Sequence, residues 1–366
     1  MNKLIFANLL HRPLRSIISV LAVAIEVMMI LSIVGIFMGM LNDTKQRTNG
    51  IGADIMVLPT NASYFNGISG AAMPINDAEA FRRMAHVTVV SPVIQHFQTT
   101  GSIEVIYGIN YATFNALKPF VYITGGPFTG PDSAIVDQVW ARGHHLKVGD
   151  PVTLLGHRFI VSGIVQPGKG GRVMLPLATM SDLMGSPGRA SEFYIKVDNT
   201  ANEQAVIDEI HATPGLEHNE ALTMNDWLDQ MTPDRLPGFN IALNVVTGIA
   251  VIVGFLVIFQ AMYTAVLERT REIGILKSMG SSKADIVSVV LRECGVLAAG
   301  GVLVGVAGTY GVRVLILHVF PTQHFELTPG WMAKAAGIAF CGALCGALYP
   351  AWIAARKDPI DALAYE

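Results

Sequence analysis

Between Phe239 and Leu267 the chain runs 29 residues without one charged side chain. As a helix that run is about 43 Å long, more than the ~30 Å hydrocarbon core of a bilayer. Three further apolar runs share the pattern. Ser16 to Met40 is interrupted only by Glu26; Ile286 to Leu317 carries Arg292 and Glu293 near its start and Arg313 near its end; Ala335 to Ala355 is uncharged. Only 14% of the 366 residues are charged, where a soluble chain has about a quarter. The sequence therefore predicts an α-helical membrane protein with four spans, at 16–40, 239–267, 286–317 and 335–355. A cleaved signal peptide competes for the first run, but the run outlasts an ordinary h-region and has no small-x-small cleavage site before Asn42.

Lys and Arg in the short flanks give the spans a direction. Lys3, Arg12 and Arg15 precede the first; Arg269, Arg271, Lys277 and Lys283 lie between the second and third; Arg356 and Lys357 follow the fourth. The stretch from His318 to Pro329 has neither residue type. The expectation is an inner (cytoplasmic) membrane protein with the 1–15 terminus, the 268–285 loop and the 356–366 tail in the cytoplasm. The 41–238 segment and the 318–334 loop are then outside. Residues 1–12 have the composition of a short amphipathic piece lying on the inner face, and a plain disordered start fits them as well.

The 41–238 segment reads as an independently folded α+β domain. It holds 13 Lys and Arg against 19 Asp and Glu. Strand-like runs at Ala53–Leu58, Thr88–Pro92, Ile103–Ile109, Pro151–Leu155, Arg158–Val165 and Glu192–Val197 alternate with turn signals. Helical patterns occupy Ile75–Met84, Asp137–Arg142 and Ala201–His211, the last with an apolar face of Ala205, Ile207 and Ile210. The stretch 146–165, with Gly149-Asp150 and Gly156-His157 as turns, reads as a small β-rich subdomain inserted in a larger frame. Gly67–Met73 is expected to be a mobile loop. Gly168-Lys169-Gly170-Gly171 has no Ser or Thr after its Lys and opens no helix, so it reads as a surface turn and not a phosphate loop.

No catalytic pattern such as G-x-S-x-G or H-E-x-x-H occurs, and no G-x-x-x-x-G-K-[ST] is present. The chain is expected to hold no cofactor or metal of its own and to be no enzyme. A net charge of -3 gives no reason to expect a nucleic-acid partner. Cys294, Cys341 and Cys345 all fall in apolar segments, and Cys341 and Cys345 read as small packing residues. The adjacent His144 and His145 would point in different directions, which argues against a metal pair.

The second span leads into Glu268-Arg269-Thr270-Arg271-Glu272-Ile273-Gly274-Ile275-Leu276-Lys277-Ser278-Met279-Gly280. Glu268 with Arg271, and Arg269 with Glu272, are spaced to support one continuing helix. Gly280 ends it, and Ser282 three before Asp285 is spaced like a capping box opening the next. The expected product is a rigid cytoplasmic helix–turn–helix with an apolar face of Ile273, Leu276 and Met279. A solvated loop stapled by ion pairs is the plainer reading, and it leaves that face unexplained.

This segment, 268–286, resembles the coupling segment of MacB/FtsX-type (type VII) ABC transporter permeases. The ending Tyr349–Leu363 resembles that family's Pro-Ala and basic-Asp-Pro-x-x-Ala-Leu tail, and 7–25, 51–59 and 146–165 resemble its first span and periplasmic core. The resemblance implies a porter-like outer frame with a β-rich insertion. It implies two ABC ATPase subunits that hold ATP and Mg, a second permease protomer (identical or a paralogue), and for some members a periplasmic adaptor. The sequence shows no fused ATPase ahead of the first span, so a separate one is expected. By the resemblance, Glu268, Arg269, Arg271, Glu272, Ile273, Leu276, Lys277, Met279, Gly280, Ser282 and Asp285 face the ATPase.

Glu26 stands apart. An ionised carboxylate at mid-span costs roughly 2.5–3.5 kcal/mol on insertion scales, so it should face another helix or a cavity. It is either a hydrogen-bonded structural group or part of a site for an amphipathic or cationic substrate. Gly301/Gly305 and Gly342/Gly346 have the spacing of close helix contacts. The function expected is a permease coupling ATP use by its partner to motion of the outer domain. That motion would export a hydrophobic or amphipathic compound such as a lipid, peptide, drug or haem-like molecule. The alternatives are an FtsX-like transducer that activates a cell-wall hydrolase without transport, and a membrane-anchored enzyme.

Overall fold

The computed structural model describes residues 13–60, 73–99, 103–232 and 239–356. The amphipathic start at 1–12, most of the loop expected at 67–73 and the tail motif from 357 onward lie outside the described residues. The chain divides into a helical unit and a sheet unit, the latter comprising Leu41–Pro237 with Phe320–Thr322.

The first helix, α1 (Pro13–Asn49), is 37 residues long. It outlasts the apolar run because its last turns, Asn42 to Thr48, are polar helix. Hydropathy marks only the part that suits lipid.

The sheet unit follows as β1 (Ile55–Leu58), β2 (Met73–Pro74), α2 (Asp77–Arg82), β3 (Val87–Thr99), β4 (Ile103–Ile109), α3 (Tyr111–Leu117), β5 (Tyr122–Gly125) and β6 (Ser133–Asp137). Next come α4 (Gln138–Gly143), β7 (Pro151–Leu154), β8 (His157–Val165), β9 (Val173–Pro176), α5 (Leu177–Leu183), β10 (Arg189–Ala190) and β11 (Glu192–Val197). The unit closes with α6 (Glu203–Ala212), β12 (Glu220–Thr223) and α7 (Met224–Gln230). Ten strands form one mixed sheet in the order β12-β1-β11-β3-β4-β9-β6-β8-β5, with β7 on β8. The β4–β9 and β6–β8 pairs are parallel.

Alternation explains the packing. In β1, Met56 and Leu58 enter one apolar cluster with Tyr107, Tyr194 and Trp227, while Ile55 and Val57 enter another with Phe81 and Phe193. The four strand residues are all buried because both faces of the sheet are covered. On the second face the apolar residues form two clusters. One gathers at β1, β11, α2 and α6; the other, around Trp140, Phe159 and Val161, gathers at β4, β6, β8 and β9. The β-rich insertion read from 146–165 is thus the second half of a shared sheet, with its own core on one side.

β3 continues seven residues beyond the run expected to stop at Pro92. It pairs with β11 up to Val93 and with β4 from Val93 onward. Pro92 sits where the strand changes partner, a position that tolerates a missing N–H. In α6 the buried residues are Val206, Ile207 and Ile210, and Ala205 faces solvent. That corrects the face read from the sequence by one position.

The helical unit contains α8 (Phe239–Glu268), α9 (Thr270–Ser278), α10 (Lys283–Val319) and α11 (Pro329–Arg356). With α1, the three long helices are long and apolar enough to cross a membrane. An alkyl surface on α8, including Ile241, Val245, Ile249, Ile252 and Leu256, is exposed, which is why that helix tolerates no charge. A side chain at Gly301 or Gly305 of α10 would meet Val23 or Val27 of α1, and one at Gly346 of α11 would meet the α8 backbone at Phe255. Both small-residue pairs therefore serve packing within one chain. Ala335, Ala339, Ala343, Ala347 and Ala351 form the buried stripe of α11. Cys341 and Cys345 are exposed in the single chain, so their small side chains do not serve the packing of α11 within it. Cys294 is buried and donates to the Ala343 carbonyl at 3.3 Å.

Candidate functional site

α8 and α9 are not one helix. The chain turns at Arg269 (φ -110°, ψ 18°) and restarts at Thr270, which corrects the continuous helix expected through 268–280. The turn is held from both sides. The Thr270 hydroxyl donates to the Leu267 carbonyl at 2.8 Å. The Arg269 guanidinium crosses to α10 and donates to both carboxylate oxygens of Glu293, at 3.1 and 3.3 Å. Both side chains are nearly inaccessible, 12% and 5% exposed, so the pair is a lock and not a surface decoration. At the far end of α9, the Lys277 ammonium donates to the Ala355 carbonyl at the end of α11, at 3.1 Å. Three helices are thereby tied to one short one.

Gly280 adopts φ +96° and turns the chain back, a conformation that suits glycine. Ser282 and Asp285 then cap α10 reciprocally. The Ser282 hydroxyl donates to the Asp285 carboxylate at 2.7 Å, the Ser282 N–H donates to it at 3.0 Å, and the Asp285 N–H donates to the hydroxyl at 3.2 Å. Inside the elbow lies a cavity of about 340 Å³, lined by Met262, Val266, Ile273, Leu276, Ile286 and Val290 with Arg269 and Glu293 at its wall.

The exposed side of the elbow differs from the one read in the sequence. Ile273 is buried against the cavity, Leu276 and Lys277 are half-buried, and Met279 is 71% exposed. The outward apolar pair is Ile275 and Met279, one turn apart, with Glu268, Arg271, Glu272, Ser282 and Asp285 also exposed. α9 carries apolar residues on both sides, Ile273 and Leu276 at the cavity and Ile275 and Met279 exposed, so spacing alone does not tell which side faces out. Glu293, seen in the sequence only as a charge inside a span, gains its role from this contact.

A second constellation lies in the sheet unit at the last turns of α1. Asp43 accepts from Arg47 and from Arg172, each at 2.9 Å, and Arg172 also donates to Asp137 at 2.9 Å. Arg47 donates to the Gly170 carbonyl at 2.5 Å, while the Gly170 N–H donates to the Arg47 carbonyl. Burial pushes the Asp137 carboxyl up from its usual range, and the Arg172 guanidinium pulls it back. The Gly168–Gly171 segment is clamped here: Lys169, Gly170 and Gly171 are buried, and a side chain at either of the last two would strike the Tyr107 ring. The surface turn expected from its composition is therefore an internal clasp. Only the Asp43/Arg47 spacing hinted at it.

Glu26 is buried within the helical unit with its carboxyl against Gly254 of α8, where a side chain would displace it. One of its oxygens has no hydrogen-bond partner.

Four apolar helices, an elbow between the second and third, and a mixed-sheet domain between the first and second define a class of ABC-type permease. Residues 16–213 match the MacB-like periplasmic core domain, and residues 244–359 match the FtsX-like permease C-terminal region. The chain belongs to this MacB/FtsX family. It is 25% identical over 394 residues to the macrolide export ATP-binding/permease protein MacB of Shewanella sp. (strain W3-18-1), covering 97% of this chain and 59% of that protein. It is also 25% identical over 407 residues to the uncharacterized ABC transporter permease YknZ of Bacillus subtilis (strain 168), covering all of this chain and 98% of the relative. The chain thus spans about three-fifths of the MacB sequences it matches. Among solved structures, the periplasmic region of MacB from Actinobacillus actinomycetemcomitans aligns at 14% identity over 50% of this chain and 94% of that one, with a TM-score of 0.39.

Proposed function

We propose that this chain is the membrane subunit that turns ATP binding by a separate ABC ATPase into motion of its 41–238 domain. The export of a hydrophobic or amphipathic substrate is the purpose of that motion. The observation that carries the reading is the elbow. α9 is tied by Arg269 to Glu293 of α10 and by Lys277 to the end of α11, so a push on α9 displaces three long helices together. Its exposed Ile275 and Met279, flanked by Arg271 and Glu272, offer an apolar patch with a charged rim, the composition of a docking surface.

In this reading both termini and the elbow are cytoplasmic, the sheet domain is outside, and ATP and Mg are held by the partner. Two permease copies, identical or paralogous, stand on two ATPase copies, with an adaptor outside for export. Glu26 is a packing group between α1 and α8. An FtsX-like transducer would use the same elbow and differ only in moving no substrate.

Co-expression with the ATPase tests the docking step. Replacement of Glu272 by Ala, or deletion of Gly280–Lys283, is expected to abolish co-purification of the ATPase while the sheet domain stays folded. Undiminished co-purification with both variants would refute the elbow as the docking element. Substrate efflux from vesicles with and without ATPase separates the exporter from the transducer.

A further inference from the structure

The sheet domain carries more acid than base, 19 Asp and Glu against 13 Lys and Arg, yet three of its lysines converge at one corner. α3 ends at Leu117, and its last carbonyls point at two ammonium groups. Lys196, from β11, donates to the Leu117 carbonyl at 2.7 Å. Lys169, from the clasp, donates to the carbonyl of Lys118, and its ammonium lies 5.4 Å from the centre of the Phe120 ring. Lys118 itself is exposed and runs over Gly52, where a side chain would strike its β-carbon. Ammonium groups on consecutive carbonyls are close neighbours. Among the described residues, none of the three lysines is paired with a carboxylate.

Capping of the α3 carbonyls is the plain reading, and cations do satisfy helix C-termini. It explains two contacts. It does not explain why a third cation stands beside them, or why the middle one is buried at 7% exposure. Burial and the charges of Lys118 and Lys196 push the Lys169 ammonium down to about 8. A buried positive charge among like charges is unfavourable unless a counter-charge joins it.

We propose that Lys118, Lys169 and Lys196 form a binding site for an oxyanion of the phosphate class, either free phosphate or the phosphate group of a larger ligand. Three lysine side chains carry spare ammonium N–H donors, and a dianion offers an acceptor oxygen to each while offsetting two of their positive charges. The buried Lys169 marks the floor of the site, and the more accessible Lys118 and Lys196 mark its mouth. The two carbonyls hold the floor and one side in place before the anion arrives.

The test uses the full chain in non-ionic detergent, with inorganic phosphate titrated at constant ionic strength. Lysine modification by reductive methylation near pH 8, the midpoint expected for Lys169, is read by peptide mass spectrometry. Modification of Lys169 is expected to slow saturably as phosphate binds. The apparent Kd should weaken about tenfold in Lys118→Gln and again in Lys196→Gln, and stay unchanged in Lys147→Gln, an exposed lysine elsewhere in the domain. Lys118→Gln removes an exposed side chain, so a thermal melt equal to wild type shows that its effect is on binding. Protection in phosphatidylglycerol vesicles without free phosphate would identify a lipid headgroup as the source; protection by free phosphate in phosphatidylcholine vesicles would identify a soluble ligand. Unsaturable protection, or equal protection in the Lys118/Lys196 double variant, would overturn the site.

Discussion

Replacing Arg172 by Ala isolates what the α1 clasp contributes. The side chain is 8% exposed and bridges Asp43 and Asp137, themselves 14% and 2% exposed. Its removal leaves Asp43 with Arg47, but among the described residues leaves the Asp137 carboxylate with the Trp140 N–H alone, at 2.7 Å. Breaking a buried pair from one side costs about 3–5 kcal/mol, because a buried charge is left behind. For a unit of about 200 residues, each kcal/mol moves the melting temperature by roughly 2–4 °C, so a fall on the order of 10 °C is expected. Asp137→Asn keeps an oxygen for the Trp140 N–H and lacks the charge. The double variant Arg172→Ala/Asp137→Asn should therefore recover a large part of the loss. The assay is tryptophan fluorescence during thermal unfolding of the full chain in detergent, with Trp140 and Trp227 reporting the sheet unit. An Arg172→Ala melt within about 2 °C of wild type would refute the clasp, and so would strictly additive single and double variants.

Glu192 gives a pH test. It is fully buried, and burial raises its carboxyl to about 7 from 4.5, against the opposing hydrogen bond from Tyr194. Because the folded value is raised, its contribution to stability is complete below about 4.5 and is lost as pH rises through about 7. Glu192→Gln should leave stability at pH 4 nearly unchanged and raise it at pH 8 by a few kcal/mol, read in melts at the two pH values; equal effects at both would contradict the assignment. Gly170→Ala places a methyl group against Tyr107 at φ +68° and is expected to destabilise the sheet unit by about 1–3 kcal/mol, read in the same melt. Ser282→Ala removes the reciprocal cap and should cost about 1 kcal/mol, visible as faster hydrogen exchange in the first turn of α10.

How far the sequence discloses this molecule depends on whether a signal is local. The charge-free run at 239–267 and the alternating strands read at 103–109, 158–165 and 192–197 are decided by neighbours within a few residues, and each lies where its pattern puts it to within one residue. The partner change at Pro92 needs two other strands, so the pattern stops there although the strand does not. The Gly168–Gly171 clasp reads as a turn because its glycines serve a contact with Tyr107 and α1, distant in sequence. The elbow was recognisable as a charged, apolar-faced segment after a span. Its outward side was not, since α9 is apolar on both sides and the contacts that cover one of them come from α10, distant in sequence. Cys341 and Cys345 show the same limit: a stripe of small residues in a span does not say which side meets a helix.

The central claim is that ATP binding by an ATPase docked on the elbow moves the sheet domain. Spin labels at Glu209→Cys, on the exposed side of α6, in a background with Cys294, Cys341 and Cys345 replaced, would report the separation of two sheet domains in the proposed permease–ATPase complex. The account predicts a distance distribution that shifts when ATP binds and does not shift in an Ile275→Ala/Met279→Ala elbow variant. Distances that ignore ATP while the bound ATPase continues to hydrolyse it would contradict the account.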